Sequence, residues 1–400
     1  VFGSNDNMAL GAIQAIKDAG MKNVVVVGSQ WGDEGKGKII SYLAIKDNPK
    51  IIVRGGAGPN AGHTIMDGDK VYKVRMLPSG FLNKNAKVMI GPGVVINPKV
   101  LDKEIQDFNA SGRVFIDKHC GIIEETHLIR DSKGELKEKI GSTGSGTGPA
   151  NSDRAMRVLK MAKDFDSLSS IIVDVPQEIN SALSANQNVL VEGTQGTFLS
   201  LWHGTYPFVT SKDVTASGIC ADVGLGPTKV NEVIVVFKSY VTRVGTGPLD
   251  KELSLEDAEK KNWSEFGTVT GRQRRAADFD FDLASRAIML NGATQISLTK
   301  LDVLFTDCAG KTSYDELSTD AKSFIKNIKK NYGIGNNKGK FFINYYGLNP
   351  RTNPKYIKKN YSDEIKKDVT TSTTERVLKN HIKSCINFLL ENKTYKGIRH

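Results

Sequence analysis

Residues 22–40, "KNVVVVGSQWGDEGKGKII", decide how this chain folds. Four consecutive valines without polar alternation suit a strand covered on both faces, over 23–28. The segment from about Lys36 to Ile45 fits a helix, so the stretch between them is a strand-to-helix loop. That loop holds three glycines and two lysines within residues 30–38. Glycines let backbone N–H groups approach a phosphate at a helix N-terminus, and lysine supplies the opposite charge. The window Gly32–Ile39 nearly fits the template G-x-x-x-x-G-K-[ST], but Ile39 stands where a hydroxyl would hold Mg2+. Asp33 and Glu34 also place two carboxylates inside a loop suited to anions. A carboxylate there makes sense if it holds a metal, takes a proton from a second substrate, or both. The plain alternative is a turn that merely tolerates glycine.

Outward from this loop, strands and helices alternate. Strands are expected at "KIIVRGG" (50–56), "AKVMIG" (86–91), "GRVFID" (112–117), "NVLVEG" (188–193), "EVIVVFKSY" (232–240) and "TQISLTKLDVL" (294–304). Helices are expected over 98–108, 153–163, 176–186 and 280–291, with another from 374 to 390. The pattern predicts an α/β fold: a mostly parallel central sheet, helices on both faces and long functional loops. Residues 1–20 read as a loop plus an amphipathic helix ahead of Met21, and are expected to be an extraneous extension. The folded body is expected over 21–332, followed by an irregular basic segment over 333–400.

Composition narrows the class. Apolar content of 39% and charged content of 25% fit a globular chain, and no apolar run is long enough to span a membrane. The start lacks a basic region followed by an apolar one, so no secretory signal is expected. Cys120, Cys220, Cys308 and Cys385 form no CxxC pair, which points to reduced cysteines in the cytoplasm. The net charge of +11 sits in residues 311–400, with 19 Lys+Arg against 8 Asp+Glu. Such a tail suits nucleic acid or an acidic partner, but without any recognition motif a solvated surface is the simpler reading.

Further loops add chemistry. "GPNAGHT" (58–64) follows the second strand, where open α/β sheets bind ligands. His63 is flanked there by small residues, though a lone histidine is more often structural. "GSTGSGTGP" (141–149) offers backbone donors to a phosphate or serves as a flexible linker. "VEGTQGT" (191–197) closes a strand with small residues and an amide. "GTVTGRQRR" (267–275) packs three arginines beside a turn, suited to grip a dicarboxylate or phosphate bidentately; otherwise it is a solvated basic patch. Several anion-binding loops with one carboxylate and one histidine suit the coupling of two anionic substrates driven by a nucleoside triphosphate.

Taken together, "GSQWGDEGKGKI", "NAGHT", "VEGTQGT", "GTYPFVTS" and "GTVTGRQRR" resemble the adenylosuccinate synthetase family in its short archaeal-type form, in order from about Met21 to Tyr332. The resemblance implies a P-loop-NTPase-like fold and a reaction in which IMP, L-aspartate and GTP give adenylosuccinate, GDP and phosphate through 6-phosphoryl-IMP, with Mg2+. It implies that Asp33 takes the N1 proton of the purine and, with the backbone carbonyl of Gly62, holds Mg2+. Lys36 would balance charge on the transferring phosphoryl group, and His63 would act as general acid at O6 and phosphate. IMP would be held by Asn60, Ala61, Gly62, Thr143, Gln195, Thr210 and Arg272, with Arg157 reaching into the neighbouring subunit of a homodimer. L-Aspartate would meet Thr268, Val269, Thr270, Gly271, Arg272, Gln273 and Arg274. GTP would meet Gly32, Asp33, Glu34, Gly35, Lys36, Gly37, Lys38, Gly62, His63, Thr64 and Arg274, with Lys300, Leu301 and Asp302 reading guanine.

Two departures qualify the resemblance. The Gly-Pro segment that closes the family's base pocket has no counterpart in 333–400, which leaves GTP against ATP open. A phage branch that makes 2-aminoadenylosuccinate from dGMP typically replaces the catalytic aspartate by serine, whereas Asp33 is retained here. Outside this chemistry, a regulatory P-loop GTPase is disfavoured by Ile39 and by the absence of an N-K-x-D segment.

Overall fold

The computed structural model describes residues 23–331, apart from 68–69, 135, 268–270 and 312–313, together with the backbone of 343–346. The expected extension at 1–20, most of the segment over 333–400 and the helix over 374–390 lie outside the described residues. In chain order the strands are β1 (Asn23–Gly28), β2 (Ile51–Arg54), β3 (His63–Asp67), β4 (Lys70–Val74), β5 (Lys87–Ile90), β6 (Val95–Ile96), β7 (Val114–Asp117) and β8 (Gly121–Ile122). After them come β9 (Ile172–Val173), β10 (Val189–Glu192), β11 (Glu232–Lys238), β12 (Val241–Val244), β13 (Arg274–Ala277), β14 (Gln295–Thr299) and β15 (Ile343–Tyr346).

Nine of them form one sheet in the order β15-β14-β11-β1-β10-β2-β5-β7-β9. Every pairing within it is parallel. Its middle is the valine run: Val24 is 8% exposed, and Val25, Val26 and Val27 are wholly buried. Each such burial contributes ~1.5–3 kcal/mol, which explains why the run carries no polar alternation. Val25 and Val27 share one buried cluster on one face with residues of the helices Val175–Ser184, Ala216–Val223, Phe281–Asn291 and Thr319–Asn331. Val24 and Val26 pack on the other against Ile39, Ile40 and Leu43 of the helix Lys36–Lys46. Helices therefore cover both faces, as the sequence predicts.

The order of the strands places the site. From β1 the chain steps past one position to β2 and runs outward to β9. It then returns to insert β10 between β1 and β2, and crosses to β11, β14 and β15 on the other side. The direction of winding reverses around β1, and the crevice beyond the carboxyl ends of strands at such a reversal is where open α/β sheets bind ligands.

Two expected elements differ. The strand over 294–304 stops at Thr299, because Lys300 adopts φ 63° and Leu301–Leu304 forms a helical turn. Ser239 donates its hydroxyl to the Lys300 carbonyl at 2.7 Å and fixes that break. The helix expected over 153–163 instead spans Thr147–Ala155. It starts early because the Asp131 carboxylate accepts the Gly146 N–H at 2.8 Å. It ends early because Arg157 takes φ 66° and Lys160 accepts the Ile122 N–H at 2.9 Å. The antiparallel pairs β3–β4 and β12–β13 stand outside the main sheet and were not anticipated.

Candidate active site

The loop after β1 answers why an anion cradle holds two carboxylates. Gly35 sits at φ 88° where the helix Lys36–Lys46 begins, and no side chain caps that helix. Its first N–H groups are thus available to an anion. Glu34 is turned inward. Its Oε1 accepts the N–H of Gln30 at 2.7 Å and of Gly32 at 2.9 Å, and its Oε2 meets Lys36 Nζ at 2.9 Å. This carboxylate staples the loop. Asp33 faces the other way: its Oδ2 accepts the Thr242 hydroxyl, with Arg274 at 3.4 Å and Lys238 at 3.5 Å. Its Oδ1 is buried with no hydrogen-bond partner among the described residues.

His63 opens β3 directly behind this loop. A Cβ added to Gly37 would lie 2.9 Å from His63 Cβ, so only glycine permits the approach. The imidazole Nδ1 contacts Glu192 Oε1 and lies 2.8 Å from Ser79 Oγ, while Nε2 is buried without a partner among the described residues. Burial, aided by Arg54 and Lys36, holds His63 below the usual histidine value against the pull of Glu192. Burial pushes Glu192 up, but His63, Arg54 and Ser79 outweigh it and keep the carboxyl below its ordinary value.

A cavity of about 440 Å³ opens beside Asp33 and is lined by Asn60, Ala61, Gly62, Thr143, Gln195, Thr210, Arg272 and Arg274, with Trp31 and Phe208 among its apolar walls. Its polar groups are chained. Gln195 Nε2 donates to Asn60 Oδ1 at 2.9 Å, and Asn60 Nδ2 donates to Thr210 Oγ1 at 3.1 Å. Arg272 donates to the Gly141 carbonyl at 2.8 Å and ties the glycine-rich loop to the arginine loop. Thr143 Oγ1 lies 2.9 Å from Ser145 Oγ. Residues far apart in sequence thus converge on one space, at the ends of β1, β2 and β10.

Other expected residues lie outside the cavity wall. Lys38 has a side chain that burial, with Lys300 nearby, lowers to about 8, while Asp302 and Glu265 oppose the shift. Asp302 follows Leu301 in the turn after β14, and its Oδ1 is buried without a partner among the described residues. Thr64 is exposed next to His63. Gly271 is exposed at φ 63°, and Gln273 donates to Ser264 Oγ at 3.2 Å. Thr268, Val269 and Thr270 lie outside the described residues. Arg157 is exposed between Met156 and Val158, each 70% exposed, and does not line its own chain's cavity.

The sequence reading missed a buried group behind Asp33. Lys238 Nζ meets Glu265 at 3.1 Å and the Thr242 hydroxyl, and Tyr240 donates to Glu265 at 2.5 Å. Burial would raise Glu265, but Lys238, Arg274 and Lys300 hold it far below the usual carboxylate range. One signal was available, a lysine closing the apolar strand "EVIVVFK". Glu192 carried the same signal, a charge closing the apolar strand Val189–Glu192, whereas Ser79 carried none.

No group of three or more His, Cys, Asp or Glu suited to a metal occurs among the described residues. The described residues therefore form no dedicated metal cage. The unpartnered Asp33 Oδ1 beside the phosphate loop still fits Mg2+, which commonly uses one or two carboxylates and completes its shell from substrate phosphates and water.

The family model for adenylosuccinate synthetase matches residues 25–165 and 158–307. A curated adenylosuccinate synthetase of Methanocaldococcus jannaschii is 58% identical over 78% of this chain and 91% of its own length. One from Pyrococcus horikoshii is 52% identical over 78% of this chain and 94% of its own. Among solved structures, the fully ligated adenylosuccinate synthetase of Plasmodium falciparum superposes with a TM-score of 0.70 at 30% identity, covering 78% of this chain and 95% of that one. The cyanophage S-2L succinoaminodeoxyadenylate synthetase, bound to dGMP and dATP, gives 0.65 at 26% identity, over 78% and 90%. From the parallel sheet to the loops around β1, this chain belongs to the adenylosuccinate synthetase family.

Proposed function

We propose that this protein joins L-aspartate to IMP at the expense of GTP, releasing adenylosuccinate, GDP and phosphate, with residues 21–332 as the catalytic body. One observation carries the assignment of roles: Asp33 alone among the loop's two carboxylates leaves an oxygen uncommitted beside the cavity. Asp33 would take the N1 proton of hypoxanthine, so that O6 attacks the γ-phosphorus while GDP departs. The aspartate amine would then displace phosphate at C6. The N–H groups at the start of the helix Lys36–Lys46 and the ammonium of Lys36 would face the transferring phosphoryl group. Asn60, Gln195, Thr210 and Thr143 would orient IMP, and Arg272, Arg274 and residues 268–271 would grip the substrate dicarboxylate. His63 would supply the acid at O6. Mg2+, when bound to Asp33 and the Gly62 carbonyl, would offset negative charge on the phosphates.

Retention of Asp33 supports IMP over dGMP, and Asp302, in the turn Leu301–Leu304 with a carboxylate oxygen that has no partner among the described residues, suits acceptance of two guanine N–H groups. Arg157, exposed among apolar side chains, suits a homodimer in which it serves the neighbouring site. The reading places the enzyme in the cytoplasm, and no described helix is long and apolar enough to cross a membrane.

The test is product analysis with GTP and Mg2+, offering IMP and dGMP side by side with aspartate. Adenylosuccinate formation that requires both IMP and aspartate is the expected result. GTP hydrolysis indifferent to both would instead indicate a regulatory GTPase, and consumption of dGMP the phage-type reaction.

A further inference from the structure

We infer that Glu192 is the positioning residue of His63, holding a proton on Nδ1 and leaving Nε2 as the nitrogen that serves the reaction. The inference deepens the reading of His63 as the acid at O6, in which the proton given up would be one carried on Nε2 by a ring that keeps its Nδ1 proton, donated to Glu192. The inference rests on that reading only for its effect on turnover.

The case is one of donors and acceptors. Glu192 ends β10 wholly buried, and His63 begins β3 at 6% exposure. Ser79 stands between them. Its backbone N–H donates to Glu192 Oε2 at 2.5 Å and its hydroxyl donates to Oε1 at 2.8 Å. With its proton so spent, the Ser79 hydroxyl can only accept from the imidazole, whose Nδ1 is 2.8 Å away. Glu192 Oε1, in direct contact with the same Nδ1, can also only accept. Both groups facing Nδ1 are therefore acceptors, and the nitrogen must carry the proton. Nε2, the nitrogen that has no partner among the described residues, is left to face the reaction, bare when the ring is neutral and protonated when it acts as an acid. Other charges around the ring are Arg54 from β2 and Lys36 from the phosphate loop, and neither accepts a proton from Nδ1. The arrangement follows the logic by which a buried carboxylate orients a working histidine through its second nitrogen.

The geometry makes a sharp demand on Glu192→Gln. The Ser79 N–H is a backbone donor and cannot be reversed, so the amide oxygen must take the Oε2 place. The amide NH2 then occupies the Oε1 place, turning a donor toward Nδ1, and the neutral ring must move its proton to Nε2. Gln keeps the shape of Glu, so the effect is on tautomer rather than on packing.

Nitrogen-15 NMR of the ligand-free full chain, labelled at histidine, reads the tautomer without any turnover. The parent protein is expected to show His63 protonated at Nδ1, and the Gln variant at Nε2. Turnover in the Gln variant is expected to fall ~10²-fold or more while KM for IMP changes little. Ser79→Ala should keep the parent tautomer, since Glu192 still accepts from Nδ1. A parent protein protonated at Nε2 alone overturns the inference, and that measurement does not depend on any variant folding. So does a folded Gln variant that keeps the Nδ1 proton. Inversion of the tautomer with unchanged turnover upholds Glu192 as the positioning residue and removes His63 from the chemistry.

Discussion

Glu34→Gln tests whether the phosphate loop is held from inside. The parent carboxylate performs three tasks at once: two backbone N–H groups are accepted at 2.7 and 2.9 Å, and Lys36 is paired at 2.9 Å with both side chains at 0% exposure. In the variant the amide oxygen can keep the two N–H groups, but its NH2 must then face the ammonium. The other acceptor near Lys36 is the Gly32 carbonyl at 3.3 Å, a long and neutral partner. Removing one partner of a buried ion pair costs ~3–5 kcal/mol, because a desolvated charge is left behind. Glu34→Ala should cost more, since each orphaned backbone N–H adds ~1–3 kcal/mol. The assay is urea unfolding without nucleotide, following tryptophan fluorescence, with the slope compared to confirm that the same surface is exposed. Saturating GTP should return part of the loss, as its phosphates offer Lys36 a new counter-charge. A Gln variant within ~0.5 kcal/mol of the parent would refute the reasoning and mean the loop is held by other contacts.

Three other outcomes are expected. Mixing inactive Arg157→Leu with inactive Asp33→Asn, which should each lose at least ~10²-fold in turnover, should restore activity in mixed dimers; no recovery after proven subunit exchange counts against a shared site. Lys38 is lowered to about 8 from 10.5, so between those values the unfolded chain holds a proton the folded chain has released. Stability should therefore rise with pH over that window, and urea midpoints of Lys38→Gln should lack the rise while gaining on the order of 1–3 kcal/mol near neutrality, at the expense of GTP affinity. Asp302→Asn should narrow the preference for GTP over ATP by ~10-fold, as one charge-assisted acceptor is worth ~1.5–3 kcal/mol, and competition kinetics with equal nucleotide concentrations would expose an unchanged ratio.

Local chemistry made much of this protein legible in its sequence. The valines of 24–27 had to be doubly covered, and the glycines after them had to open onto a helix start, because both are consequences of side-chain shape and backbone freedom over a few residues. The family's motifs were likewise contiguous runs. Where neighbours in space rather than in sequence decide, the reading stopped. The helix over 153–163 was misplaced because Asp131 accepts the Gly146 N–H where the true helix starts and the Ile122 N–H donates to the Lys160 carbonyl beyond its end. The strand over 294–304 was overrun because Ser239 holds the break at Lys300. Only the tertiary structure told the two carboxylates apart: Glu34 and Asp33 are adjacent and chemically alike, yet one meets Lys36 and its own loop while the other meets Thr242, Lys238 and Arg274 from β11–β13. Glu192 reaches His63 because β10 is inserted beside β2 after a long excursion of the chain, and no local pattern encodes that insertion. A hydrogen bond is set by ångströms and angles between whole elements, whereas a residue's preference is set by its own atoms.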